Sequence, residues 1–263
     1  MEVVGYIASV FIGLSLGLIG GGGSILTVPI LVYFFGIDPL NATTYSLFIV
    51  GLTSAVGVGS HFRKGNVHFP IALIFGIPSL AAVFIMRKWI MPGIPDHLLN
   101  IGGVVLTKSM LLMLVFAVLM LLAAVSMIGR NREKLHPNVP LQYNRLIVQG
   151  LIVGIVTGFV GVGGGFLIIP SLVLFGGLSM KKAVGTSLLV MTISSLLGIL
   201  GDISRKVPFN YTFLIAFSLF AVAGITAGSY LTKYTNDAKL KPVFGWFVLA
   251  MGIFVLITTL YHQ

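Results

Sequence analysis

No cysteine occurs in the chain, and charge is scarce: six acidic and sixteen basic side chains make up 8% of 263 residues. The missing thiols exclude disulfides, iron–sulfur clusters, thiolate metal sites and cysteine nucleophiles. Soluble domains carry about 25% charged residues, and a water-facing surface could not be covered with so few. With 57% hydrophobic residues and a mean hydropathy of +1.08, the composition is that of an integral membrane protein.

Acidic residues are also missing from the middle of every apolar run. Glu2, Asp38, Asp96, Glu133, Asp202 and Asp237 all fall at run ends or in loops, so no buried carboxylate relay for protons is expected. The patterns GxxxxGK[ST], HExxH and GxSxG are absent, and no Ser/His/Asp set stands out, which argues against an enzyme. His68, His97, His136 and His262 are scattered without metal-ligand spacing. Neither a metal nor a cofactor is expected. Glu2 precedes the first apolar run and no basic segment leads it, so the start reads as a first span rather than a cleavable signal.

The net charge of +10 would suggest nucleic acid in a soluble protein. Here the basic residues lie between apolar runs, so their expected partners are anionic lipid headgroups, not nucleic acid. Those runs are Val3 to Ile19, a shorter one from Ser24 to Gly36, Ala42 to Phe62, Val67 to Met86 and Thr107 to Ile128. A Pro/Gly-rich loop (Met91 to Leu106) separates the last two. After the polar stretch Arg130 to Arg145 the pattern recurs: Leu146 to Val160, Phe166 to Gly177, Ala183 to Leu200, Tyr211 to Leu231 and Val243 to Tyr261.

The recurrence is one of sequence as well as hydropathy. Residues 17–61 align without a gap on residues 158–202, pairing Gly20 with Gly161, Gly22 with Gly163, Gly23 with Gly164, Pro29 with Pro170, Gly36 with Gly177, Ser46 with Ser187 and Gly57 with Gly198. Apolar composition does not place glycines and a proline in register. We read an internal duplication: a first transmembrane repeat at 1–129, a polar linker at 130–145 and a second repeat at 146–263. The fold class expected is all-α, a polytopic membrane protein of two homologous repeats with broken, Gly-rich helices.

Repeat orientation depends on how the short run after each glycine cluster is counted. Joined to the preceding helix it gives eight crossings, with basic residues evenly divided. Counted separately it gives ten. Arg63, Lys64, Arg130, Arg132, Lys134, Arg145, Lys181, Lys182, Lys233, Lys239 and Lys241 then share one side, against Arg87, Lys88, Lys108, Arg205 and Lys206 on the other. That bias places the linker in the cytoplasm and both termini outside. An odd number of crossings per repeat also inverts the halves, as in many transporters. The short runs fall below a full crossing, so a re-entrant half-helix stays open as an alternative.

The glycine clusters, Gly20-Gly21-Gly22-Gly23 and Gly161-Val162-Gly163-Gly164-Gly165, are where chemistry is expected. Consecutive glycines break a helix, and lipid cannot satisfy the freed backbone, so such breaks survive only against protein or a water-filled cavity. A new helix starts near Ser24 and near Phe166. Its first N–H groups and positive dipole end suit an anion. Two such ends related by a two-fold axis would converge on one pocket. The competing reading, close helix packing, fits Gly13/Gly17 and Gly154/Gly158 better.

A stripe of hydroxyls follows: Thr44, Ser46, Thr53 and Ser54 in one repeat, Thr186, Ser187, Ser194 and Ser195 in the other. They could line a path or bond to their own helix; beside the clusters, Ser46 and Ser187 are favoured for the path. Arg63, Lys64, Arg205 and Lys206, with His61 and Asp202 before them, read as snorkelling residues at span ends. Proton or ion coupling, if present, would use the substrate or His61.

The segment Gly17 to Ser24, continuing to Pro29, resembles the signature of the sulfite exporter TauE/SafE family. Gly158 to Pro170, followed by Ala183-Val184-Gly185-Thr186-Ser187-Leu188, is similar to that family's second repeat. The resemblance covers nearly the whole chain and implies a multi-pass permease of the inner (cytoplasmic) membrane, for sulfite, sulfonates and related organosulfur anions. One departure is Thr44-Tyr45-Ser46 where repeat two has Gly185-Thr186-Ser187, which makes the pocket asymmetric. The function expected is secondary-active transport of a small anionic substrate. The substrate-binding candidates are Gly20, Gly21, Gly22, Gly23, Ser24, Ser46, Gly161, Gly163, Gly164, Gly165, Thr186 and Ser187. A passive anion channel is the alternative, and a membrane-embedded enzyme or assembly factor a more distant one.

Overall fold

A computed structural model describes residues 2–21, 23–101, 104–128, 143–202, 210–231 and 237–261. The linker expected at 130–145 lies mostly outside the described residues, as do Gly22, Arg205 and Lys206.

The first half holds α1 (Glu2–Ile19), α2 (Ser24–Phe35), α3 (Pro39–Arg63) and α4 (Phe69–Ile85). α4 runs on through a π-helical turn (Met86–Ile90) into the short α5 (Met91–Gly93) as one apolar rod of 25 residues. A small antiparallel hairpin, β1 (His97–Ile101) and β2 (Val104–Thr107), leads to α6 (Lys108–Ile128). The second half holds α7 (Tyr143–Val160), α8 (Gly165–Leu174), α9 (Met180–Asp202), α10 (Tyr211–Leu231) and α11 (Asp237–Tyr261). Six of these helices are long and apolar enough to cross a membrane. The expected all-helical, multi-pass class is thus observed; the hairpin is a small addition within the loop before α6.

Local signals set the boundaries. Asp38 caps α3, its carboxylate accepting from the N–H groups of Leu40 (3.0 Å) and Asn41 (3.3 Å), with Pro39 in the first turn. That satisfies donors the helix start leaves unpaired. Gly36 ends α2 in the left-handed conformation (φ 63°), where glycine carries no Cβ penalty.

Small residues decide which helices meet. Gly13 and Gly17 of α1 face the α10 backbone at Ala221, Ile225 and Gly228, while Gly224 and Gly228 face Val10 and Leu14 in return. Gly150, Gly154 and Gly158 of α7 lie in the same way along Phe75, Ser79 and Met86 of α4. The packing role expected of Gly13/Gly17 and Gly154/Gly158 is what these contacts show. α3 packs on α9, α6 on α11, α3 also on α10 and α4 on α9. Exchanging the two halves turns α1–α10 into α7–α4 and α3–α10 into α9–α4, and leaves α3–α9 and α6–α11 as they are.

The short helices run back along their predecessors. The Phe35 ring at the end of α2 covers Gly5 near the start of α1, and Gly23 sits against Ile12, Ser15 and Leu16 midway along it. α1 and α2 are therefore antiparallel, which rules out counting them as one crossing. α2 starts at mid-length and has 12 residues, about 18 Å. It returns toward the face from which α1 began. α8, with 10 residues, leads from the glycine break after α7 to Gly176, which lies near Ile71 at the start of α4.

The two ends of the bundle can be followed from contacts. Ser109 at the start of α6 reaches Asp38 (3.5 Å), and Tyr33 of α2 contacts Thr259 of α11 (3.3 Å). The start of α1, the end of α2 and the end of α11 thus share one face, the termini face. Lys64 reaches the Ser229 carbonyl (3.5 Å), and the His68 N–H donates to Thr186 (3.0 Å), both at the opposite, linker face. Trp89, Tyr211 and Tyr261 are exposed toward the first face, Tyr143 and Tyr230 toward the second, as aromatic anchors at two membrane interfaces.

Candidate functional site

The two glycine breaks meet. A Cβ on Gly21 would fall 2.7 Å from the Gly165 Cα, and Gly165 also packs on Met191 of α9. α2 and α8 therefore start from one place in the interior, pointing their N-terminal ends at each other. The third N–H of each is taken by the glycine before the helix, Leu26 on the Gly23 carbonyl (3.2 Å) and Leu167 on the Gly164 carbonyl (2.9 Å); the two before it have no partner within their own helix, and both dipoles are positive there.

Most of the candidate residues gather around this point. Gly20 (φ 82°) lies against Val184; its N–H closes the last turn of α1 on Leu16 (2.8 Å). Gly23 precedes α2, and buried Ser24 donates to the Gly21 carbonyl (2.8 Å), which ties the break to the helix it opens. Gly163 (φ 67°) faces Val50, Met191 and Ser195; Gly164 (φ 70°) caps α8 beside Thr157. A side chain would be strained at these positive angles. Gly161 (φ 73°) closes α7 on Thr157 (2.8 Å), so its N–H, like that of Gly20, is already used.

The hydroxyls separate into two kinds. Ser46, Thr53 and Ser195 are fully buried, and their oxygens have no hydrogen-bond partner among the described residues. Thr27, one turn into α2, is the same. Ser187 instead donates to the Val184 carbonyl of its own helix (2.8 Å), and Thr186 accepts from the His68 N–H. Both are committed in this conformation.

Charged groups missed in the sequence close one end of this column. Asp202, read as belonging to a span end, and Arg87, counted only among the basic residues of one side, are buried, with side chains 1% and 0% exposed, and form an ion pair of 2.8 Å. Thr44 donates to the same carboxylate oxygen (2.6 Å), and Arg87 donates to Thr43 (2.9 Å), whose hydroxyl bonds the Leu40 carbonyl (2.7 Å). Gly161 backs directly onto the guanidinium and Thr43. The expectation that Asp202 snorkels to the headgroups is corrected here. Asp202 ends α9 in sequence, but α4 and α3 cover it. The one available signal was Arg87 itself, a cation at the end of the apolar run that Trp89-Ile90-Met91 resumes.

The other end of the column holds His61, 4% exposed, with neither ring nitrogen hydrogen-bonded among the described residues. It adjoins Gly185, about 25 Å along α9 from Asp202. His61 and Asp202 occupy matching places in the aligned repeats. Nearby, a cavity of about 320 Å³ lies between α3 and α10, lined by Ser60, Lys64, Thr226 and Ser229 among others.

Comparison with known proteins fits this arrangement. The model of the family described as "Sulfite exporter TauE/SafE" matches residues 6–255. The chain belongs to the TauE/SafE family. A "probable membrane transporter protein" of Xylella fastidiosa is 30% identical over 252 residues, covering 93% of this chain and 91% of its own. YdhB and YjnA of Bacillus subtilis carry the same description, at 29% identity (88% and 90% covered) and 26% (96% and 99%). No solved structure matches. Family membership and relatives' names support membrane transport rather than catalysis for this TauE/SafE chain.

Proposed function

We propose that the protein is a secondary-active carrier of small anions, of the sulfite and sulfonate kind, working by alternating access about the meeting point of the two glycine breaks. The observation that carries this reading is the contact of Gly21 with Gly165. It brings two positive helix ends to one buried place, lined from α3 and α9 by Val50, Met191 and Ser195. The unpartnered hydroxyls of Ser46, Thr53 and Ser195 supply donors on the adjoining helices. Uncompensated, such groups are costly to bury.

The two halves act as inverted repeats in this proposal. Support comes from the symmetric pairing of α1 with α10 and α4 with α7, and from the odd number of traverses in each half, five counting the short α2 and α8. The contact between the breaks leaves no room for an anion between them, so in this proposal the two breaks part when the anion binds. The Arg87–Asp202 pair seals the termini face, while the cavity by Lys64 lies toward the linker face. With the positive-inside bias as guide, the linker lies on the cytoplasmic side of the cell membrane in this proposal.

Purified protein in proteoliposomes, loaded with sulfite, thiosulfate, sulfoacetate or acetate, tests this. Saturable flux with counterflow of one sulfur oxyanion over acetate is expected. Ohmic current without counterflow would make the protein a channel, and no flux of any anion would refute the reading.

A further inference from the structure

We propose that the second glycine break, not the first, holds the transported anion, that the hydroxyls of Thr157 and Ser195 donate to it there, and that the first break is the plug over this site. The inference rests on the anion-carrier reading above and deepens it by fixing which half of the chain binds.

The two breaks align in sequence but differ in what surrounds them. At the first, the nearby hydroxyls are already used. Ser15, which abuts Gly23, donates to the Ile12 carbonyl (2.8 Å), and Ser24 donates to the Gly21 carbonyl (2.8 Å). Gly20 meets the Val184 side chain, and the atoms nearest to Gly21 are those of Gly165. The Thr27 hydroxyl is unpartnered among the described residues. It stands one turn further along α2, however, and is not among the atoms nearest to these glycines.

At the second break the nearby hydroxyls are unused. Thr157 Oγ1 lies against Gly164, and Ser195 Oγ lies 3.5 Å from where a Cβ on Gly163 would stand. Thr157 is 2% exposed and Ser195 0%, and neither oxygen has a hydrogen-bond partner among the described residues. A hydroxyl buried on a helix can close on a carbonyl three or four residues back. Ser54, Ser171, Thr192 and Ser194 all do so. Thr157 and Ser195 do not, and that leaves a desolvation cost which a ligand would remove. At the repeat offset their counterparts are Leu16, which has no hydroxyl, and Ser54, which is bonded to the Val50 carbonyl (2.6 Å).

The backbone differs in the same sense. Gly161, Gly163 and Gly164 have positive φ angles of 73°, 67° and 70°. At the first break Gly20 alone among the described residues has one (82°), and Gly23 is right-handed (φ −66°). Successive residues in such turn conformations direct their N–H groups into one concavity that suits an anion, and α8 adds its positive end. No hydrogen bond among the described residues is donated by the N–H groups of 162–166. A sulfonate or sulfite head has oxygens enough to accept from this fan and from a hydroxyl on either side. Thr157 belongs to α7 and Ser195 to α9, so the site lies wholly in the second half. That half keeps its hold on the anion while Gly21, packed on Gly165 at the first turn of α8, withdraws with the first.

The test uses purified full-length protein with methanesulfonate, thiosulfate and sulfate as probes, read by calorimetry and by amide hydrogen exchange. Thr157→Val and Ser195→Ala should each weaken binding of the anion that wild type prefers by about tenfold or more. The unfolding temperatures of the anion-free variants should stay at the wild-type value, because neither hydroxyl is bonded there. Thr157→Ser should recover most of the affinity that Thr157→Val loses, and Ser54→Ala, the matching change in the first half, should bind as wild type does. In wild-type protein the anion should slow exchange of the amides at 162–166 and leave those at 20–25 unchanged. Wild-type affinity in both Thr157→Val and Ser195→Ala would overturn the inference and leave the carrier reading standing. Equal protection of the two breaks would do the same, and that measurement needs no variant to fold. If wild-type protein binds none of the three anions, the carrier reading fails first and this inference with it.

Discussion

Gly21 and Gly165 face each other so closely that a Cβ on Gly165 would fall 2.5 Å from the Gly21 Cα and 2.5 Å from the Met191 sulfur. Their residue numbers lie far apart, and each belongs to a different half of the chain. Two half-length helices can begin at one buried point only if the chain there has no side chain to place.

Substitutions at the breaks should therefore stop movement before they stop folding. Gly163 (φ 67°) would place a Cβ 2.6 Å from Val50. Gly163→Ala should cost roughly 1–2 kcal/mol from the left-handed backbone alone. Gly165→Val should abolish anion flux in proteoliposomes. Both proteins should still insert in the membrane and purify as monodisperse species. Flux at wild-type levels in both would remove the breaks from the transport path.

These breaks were legible in the sequence because glycine runs inside apolar segments have few other uses, and register between the halves marked them as a pair. Helix-packing glycines such as Gly13 and Gly154 were legible through their spacing. The Arg87–Asp202 pair was not. Both residues lie near the ends of apolar runs, where cations ordinarily reach the headgroups. Only the crossing of α4 with α9, under the cover of α3, turns that position inward. The difference between Ser46 and Ser187 was hidden for a similar reason. The two residues match in the repeats, yet one donates to its own helix and the other does not, and no sequence pattern distinguishes them.

The ion pair predicts an asymmetry in stability. Arg87→Met leaves the Asp202 carboxylate buried without its cation, a loss of about 3–5 kcal/mol for such pairs. The double variant Arg87→Met with Asp202→Leu removes both charges and should regain most of it. Thermal unfolding in detergent compares the three proteins. Equal destabilisation in the single and double variants would mean that the charges do not depend on each other.

The hydroxyls predict a division between stability and affinity. Thr186→Val deprives the His68 N–H of its acceptor and should cost roughly 1–3 kcal/mol. Ser46→Ala removes a hydroxyl with no partner among the described residues. It should leave the unfolding temperature unchanged while raising the KM for the transported anion severalfold. Loss of stability in Ser46→Ala, with KM unaltered, would assign that hydroxyl to the fold.

The absence of cysteine makes the orientation directly measurable, since any introduced thiol is the only one present. Tyr261 and Tyr211 are exposed at the termini face, Tyr143 and Tyr230 at the linker face. α2 and α8 each return toward the face from which the preceding helix set out, so the chain reaches the linker with its sidedness fixed by α3, α4 and α6. In the proposed orientation that linker lies inside, as the positive-inside rule would have it. A membrane-impermeant maleimide should therefore label Tyr261→Cys and Tyr211→Cys in intact cells, and Tyr143→Cys and Tyr230→Cys only after permeabilisation. Labelling of Tyr143→Cys and Tyr261→Cys from the same side would contradict an odd number of crossings in the second half, and with it the inversion on which alternating access between the two breaks depends.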